Sequence, residues 1–228
     1  KKFCLIVFVL AAWVFPGIYA WGSDQGILID HTCTAAEKIP PQWIEEAKKK
    51  LKIWYGHTSH GSQITSGMEA MNQNPFLFNE SGENGALSFQ EKDGDLGQNG
   101  ELDWAKTTRT ALKAENKDRN VLVWSWCGGC SGNDEKGITT YLQEMSRLEK
   151  EFPPTVRFIY MTGHLDGTGV SGTLNRCNVR IREYCTKEKK ILFDFADIES
   201  FDPDGNGFLD RGADDSCAYD KTSKDSKD

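Results

Sequence analysis

The chain has 228 residues, 38% of them hydrophobic, which is enough for one α/β domain with a real core. Its formal net charge is −7, and setting aside residues 1–20 leaves 25 basic against 34 acidic side chains. That balance argues against nucleic acid or an anionic membrane surface as a partner.

Residues 1–20, "KKFCLIVFVLAAWVFPGIYA", run from two lysines through an apolar stretch to small residues ending at Ala20. This is the layout of a secretory signal peptide. A membrane anchor is the alternative, but the apolar run is short for a span, and Pro16 and Gly17 interrupt it. The expected location is therefore secreted or periplasmic, with no membrane span after cleavage. Six cysteines remain beyond this segment: Cys33, Cys127, Cys130, Cys177, Cys185 and Cys217. An even count in an exported chain suggests disulfides, whose pairing the sequence does not reveal.

Residues 21–40 read as an irregular lead-in. A helix is predicted over 40–51, with proline at its start and lysines at its end, and a strand over 51–56. Ile64, Met68 and Met71 have helical spacing within 62–73, and Ser62 suits the N-cap of that helix. Residues 74–103 read as a long polar loop holding a short strand at 86–90, followed by a helix over 104–116. Strands are predicted at 120–126, 155–163 and 190–198, with helices at 138–152 and 174–185 between them. Alternating strands and helices imply parallel strands joined by crossovers. The expected fold is an open three-layer α/β sheet of mostly parallel strands in one domain over residues 21–220. Residues 221–228 form a tail expected to be disordered.

Open α/β sheets carry their chemistry at the carboxyl ends of the strands. Here those ends read "GHTSHGS", "CGGCSGND", "TGHLDG" and "DIESFDPDG". Ser59 would sit at a tight strand-to-helix turn with its hydroxyl lifted above the sheet, beside Gly61, which permits close approach of the backbone. His57 and His60 flank it and are expected to line the site. His164 is the only histidine in the second half of the chain and the candidate general base. Asp197 or Asp166 would orient it. Backbone N–H groups at Ser59 and Gly128 would stabilise an oxyanion. Cys127 and Cys130 are expected to form a local disulfide or two separate bridges, rather than a redox or zinc motif.

The placement of Ser59 after the first clear strand resembles the SGNH (GDSL-type) hydrolases, in a flavodoxin-like strand order. The resemblance extends over residues 50–220 to an exported bacterial group with an SGNH-like fold and a His-x-Ser-x-Gly first block. It implies that Asn133, in the "SGND" block, donates to the oxyanion, although Ser131 stands where the family has glycine. It also implies an Asp-x-x-His block after the last strand. No histidine follows His164, so that block is missing, and the base must come from another strand end.

Residues 202–210, "DPDGNGFLD", place oxygen ligands in the alternating order of a calcium loop. The candidate ligands are Asp202, Asp204, Asn206, the Phe208 carbonyl, Asp210 and, nearby, Asp214, holding a structural Ca2+. These features together point to an exported SGNH-like serine hydrolase acting on a small-molecule or glycan ester, such as an acetyl group. The alternatives are a non-catalytic calcium-stabilised binding module on the same scaffold and a thiol–disulfide protein built on Cys127 and Cys130.

Overall fold

The structure is a computed structural model that describes residues 26–202 and 204–213. The predicted signal segment, the terminal tail, Asp214 and Cys217 lie outside the described residues.

Seven strands form one sheet: β1 (Ile27–Ile29), β2 (Lys52–His57), β3 (Phe78–Asn79), β4 (Leu87–Asp93), β5 (Val121–Trp124), β6 (Arg157–Met161) and β7 (Ile191–Phe193). Their order is β1-β7-β6-β5-β2-β4-β3, and every pairing is parallel. Without the edge strands β1 and β3, the five remaining strands follow the flavodoxin-like order expected from the sequence. The helices are α1 (Pro41–Lys50), α2 (Ser62–Ala70), α3 (Asp103–Lys113), α4 (Glu135–Glu151), α5 (Thr173–Lys187) and α6 (Phe195–Glu199). None of the described helices is long and apolar enough to cross a membrane.

A parallel sheet covered on both faces needs strands that are apolar on both sides. On one face Ile53, Tyr55, Phe89, Val123, Ile159 and Phe193 pack with Ile44 and Ala47 of α1, Ile64 and Met68 of α2, and Phe195 and Ile198 of α6. On the other, Trp54, Leu122, Trp124, Tyr160 and Leu192 pack with Trp104 of α3, Ile138 and Met145 of α4, and Leu174 and Ile181 of α5. The three-layer architecture follows from this alternation along each strand.

Three segments differ from the sequence expectation. The lead-in contains β1, which closes the sheet edge against β7 in the register Ile27 with Ile191. Its three residues are too few to show a strand period. The strand predicted over 190–198 stops at Phe193, and Asp194 then N-caps helix α6 by accepting from the Asp197 N–H. The alternating acids there belong to a helical turn. Ser62 is the first residue of α2 and does not cap it; Gly61 occupies the cap position without a side-chain bond.

Candidate active site

In the five-strand core the chain leaves β2 outward to β4, then returns to β5 on the other side of β2. The crevice at the carboxyl ends of β2 and β5 is thus the topological switch point, where open α/β sheets take their ligands. The turn after β2 is unusually tight. Ser59 is exposed and adopts φ of 36°, a left-handed conformation that non-glycine residues occupy only when the surroundings hold them there. The Gly61 N–H closes the turn onto the Thr58 carbonyl at 2.9 Å. A Cβ at Gly61 would lie 2.4 Å from Ser125 Oγ and 2.6 Å from His57 Cβ, so only glycine lets the turn settle against the sheet. Thr58 is tied to Asp95 by a short side-chain hydrogen bond.

Three strand ends meet beside Ser59. His60, 2% exposed, stacks on His164 from the β6 connection with ring centroids 3.8 Å apart and planes 19° apart. His60 Nε2 lies 2.6 Å from Oε1 of Glu199, the last residue of α6. The other Glu199 oxygen accepts from the Leu165 N–H at 2.6 Å. His164 Nδ1 faces the Leu165 carbonyl at 2.9 Å, a contact only an N–H can satisfy, so the lone pair is on Nε2. That nitrogen accepts from the Gly128 N–H at 3.1 Å. Burial holds the His164 pKa below the ordinary histidine range, helped by the neighbouring His60 and opposed by the Leu165 carbonyl, Glu199 and Asp166. His164 is therefore a neutral base at neutral pH, with a defined tautomer whose Nε2 lone pair is held by the Gly128 N–H.

Of the residues singled out in the sequence, Ser59, His60, His164 and Gly128 share this site. The others are placed differently. Asp197 was the expected partner of His164, but its carboxylate accepts from His31 instead, from Nδ1 at 2.5 Å and from the backbone N–H at 2.9 Å. Helix α6 points it toward the β1 edge of the sheet. Asp166, the other expected partner, is exposed and spends its carboxylate on the Thr168 N–H and hydroxyl in a local turn. Asn133 is no oxyanion donor: its Nδ2 is bound to the Gly97 and Gly129 carbonyls at 3.1 and 2.6 Å, and its Oδ1 accepts from Gly100. It braces two loops, while Asp134 caps α4. His57 stacks on Tyr55 and pairs with Glu91 of the adjacent strand at 2.7 Å.

Glu199 and His31 are the residues that sequence reasoning missed. Glu199 was hidden by the strand assignment at 190–198, and His31 by the lead-in. An Asp at position 194 followed by an apolar helical turn was the available signal for α6.

The cysteines also correct an expectation. Among the described residues Cys33, Cys127, Cys130, Cys177 and Cys185 are all free thiols. Cys130 is buried, with its thiol on Asn178 Oδ1 at 3.5 Å and against Cys177, and burial raises its pKa well above the ordinary range. A buried, protonated thiol is a poor attacking group, so Cys130 itself is unsuited to begin thiol exchange, whereas Cys127 is only half-buried.

In the loop at 202–210, Asp202 accepts from the N–H groups of Asp204 and Asn206 and from Asn206 Nδ2, at 2.8 to 2.9 Å. The turn is closed by these donors. Among the described residues, two groups place three potential ligands together: His60 with His164 and Glu199, and Asp30 with His31 and Asp197. Asp202, Asp204 and Asp210 do not form such a group.

No family model matches the chain, and no curated protein matches it. Among solved structures the chain is similar to a crystal structure of "a putative acylhydrolase" from Bacteroides fragilis. The likeness has a TM-score of 0.39 and 13% identity, and covers 73% of this chain and 85% of the other.

Proposed function

We propose that the protein is a serine-dependent hydrolase of small acyl esters, with Ser59 as nucleophile and His164 as base. The observation that carries this reading is the stack of His60, next to Ser59 in sequence, on an imidazole whose basic Nε2 meets the Gly128 N–H from the end of β5. Ser59 Oγ attacks the ester carbonyl, and its proton passes to His164 Nε2. The Gly128 N–H, released from Nε2, and N–H groups of the Ser59 turn stabilise the oxyanion. The protonated imidazole then gives its proton to the leaving alkoxide. Water, deprotonated in turn by Nε2, hydrolyses the acyl-serine. The Leu165 carbonyl takes the orienting role usually held by a carboxylate, and Glu199 fixes the ring on which His164 rests.

An acetylated glycan is the substrate class this reading favours, and export to the periplasm or medium is part of it. The calcium expected at the 202–215 loop belongs to it only as a stabiliser. A higher melting temperature on returning calcium to chelated protein supports the ion, and an unchanged one removes it.

The test is labelling of the folded protein with a fluorophosphonate, followed by peptide mapping. The expected result is an adduct on Ser59 that is absent in Ser59→Ala, together with loss of ester turnover by a factor on the order of 10³ or more. Full turnover in Ser59→Ala rejects the assignment. An unlabelled Ser59 with saturable glycan binding favours the non-catalytic binding module.

A further inference from the structure

We infer that His60, His164 and Glu199 bind a divalent transition ion of the zinc class, and that the ion shuts off the proposed hydrolysis by occupying His164. The three groups arrive from three separate connections, after β2, after β6 and at the end of α6. One potential ligand atom from each lies within 4.8 Å of the others. Two imidazoles and one carboxylate suit a borderline-soft ion, whereas magnesium and calcium prefer oxygen-only sites.

The supporting bonds have the form that ligand residues need. Leu165 serves two of the three groups with one peptide unit. Its carbonyl accepts from His164 Nδ1, which places the lone pair on Nε2, and its N–H donates to Glu199 Oε2, which leaves Oε1 toward the cluster. Metal-bound imidazoles are oriented in this way by a bond to the second ring nitrogen. Two of the three ligands are well covered, the His60 and Glu199 side chains being 2% and 7% exposed, while His164 is half-buried. Bonds of about 2.0–2.1 Å in a tetrahedral shell separate ligand atoms by about 3.3 Å. The His60–Glu199 contact of 2.6 Å therefore opens by less than ~1 Å, the proton between those two groups leaves to solvent, the stacked rings turn from their 19° so that both lone pairs meet the ion, and the Gly128 N–H gives up its bond to Nε2.

The second group, Asp30, His31 and Asp197, is a built-in comparison. Its His31 and Asp197 side chains are 32% and 26% exposed, and Asp30 Oδ1 already serves the Thr32 N–H and hydroxyl. Water and internal donors compete for those oxygens, so the ion goes to the buried cluster.

Metal binding rests on this geometry alone, whereas inhibition rests on the Ser59–His164 reading. The experiment therefore has two readouts. Cobalt(II) is titrated into chelator-treated, full-length protein and followed by its visible ligand-field bands, with displacement by zinc. One equivalent is expected to bind in the wild type, in Ser59→Ala and in Asp197→Asn. Affinity should fall by at least about tenfold in Glu199→Gln and in His164→Asn, both checked for folding by thermal melting. Folded wild type without bands, or a signal lost in Asp197→Asn but kept in Glu199→Gln, overturns the site. The second readout is fluorophosphonate labelling of Ser59 with and without zinc. Labelling blocked by zinc supports inhibition, and equal labelling with zinc bound rejects it. No labelling under either condition rejects the serine mechanism, while cobalt still decides the metal site.

Discussion

Helix α6 sends two carboxylates, two residues apart, to two histidines. Glu199 reaches His60 at 2.6 Å and Asp197 reaches His31 at 2.5 Å. The chemistry is the same and the surroundings are not. The His60 pair lies under the crevice with almost no solvent exposure and a second imidazole stacked on it. The His31 pair sits at the β1 edge, about a third open to water, with Phe201 stacked on the ring. A polar pair held away from water must satisfy every donor, and its neighbours feel its field through a low dielectric; a wet pair is screened. The difference teaches that the sheet centre, rather than the residue types, makes a histidine–carboxylate pair consequential here.

The widest separation between the two regions should appear in catalysis. Replacing His164 by Asn is expected to lower kcat/KM by about 10²–10⁴-fold, the usual worth of a general base. His31→Asn should leave it within about twofold. Steady-state kinetics on a chromogenic acetyl ester measures both. Comparable losses in the two variants would erase the distinction and move the site toward the β1 edge.

Stability should separate the regions next. Glu199→Ala leaves the His60 ring and the Leu165 N–H without their buried acceptor. At about 1–3 kcal/mol for each unsatisfied group, a loss of roughly 3 kcal/mol is expected by urea denaturation. Asp197→Asn should cost less than about 1 kcal/mol, because the pair is partly exposed and the amide oxygen still accepts from His31.

Acidity sharpens the same contrast. The His164 pKa is lowered by burial first and His60 second, so the folded protein takes up its proton at lower pH than the unfolded chain does. Above the ordinary histidine range this group makes no difference to stability. Below it the unfolded state binds the extra proton, and stability declines until the folded pKa is also passed. In chelated protein, kcat/KM should hold its plateau to a lower pH than a histidine of ordinary pKa allows, then fall as His164 is protonated. A profile breaking above pH ~6.5, the ordinary histidine value, would contradict this.

A modest effect is expected at Gly128. Its φ is 61°, and nothing lies within 4 Å of an added Cβ, so Gly128→Ala meets backbone strain without a clash. A loss of about 1 kcal/mol is expected in melting experiments. At Gly61 the Cβ would be 2.4 Å from Ser125 Oγ, and the same substitution should cost clearly more.

Much of the fold was legible in the sequence. The helices at 135–151 and 173–187 announced themselves through apolar spacing, that at 41–50 through its starting proline and terminal lysines, and the buried strands at 52–57, 121–124 and 157–161 through short apolar runs closed by glycine-rich ends. Those patterns come from backbone periods of 3.6 and 2, which are local properties of the chain. Ser59, His60, His164 and Gly128 were legible as candidate-site residues because they fall at strand ends, and parallel sheets gather such ends on one edge. Only the tertiary structure decided their partners. Whether Asp197 or Glu199 reaches the crevice depends on α6 being a helix, in which residues two apart point to opposite sides. That in turn depends on Asp194, held by the two-pronged Arg182 pair at 2.5 and 2.8 Å from a different helix. The same limit explains Cys130 and Asn133, whose types suggested a disulfide and an oxyanion donor and whose burial among α5 and two loops assigned them to packing. Spacing along the chain reports a local period; pairing across the fold reports which surfaces the core brings together, and no local signal carries that.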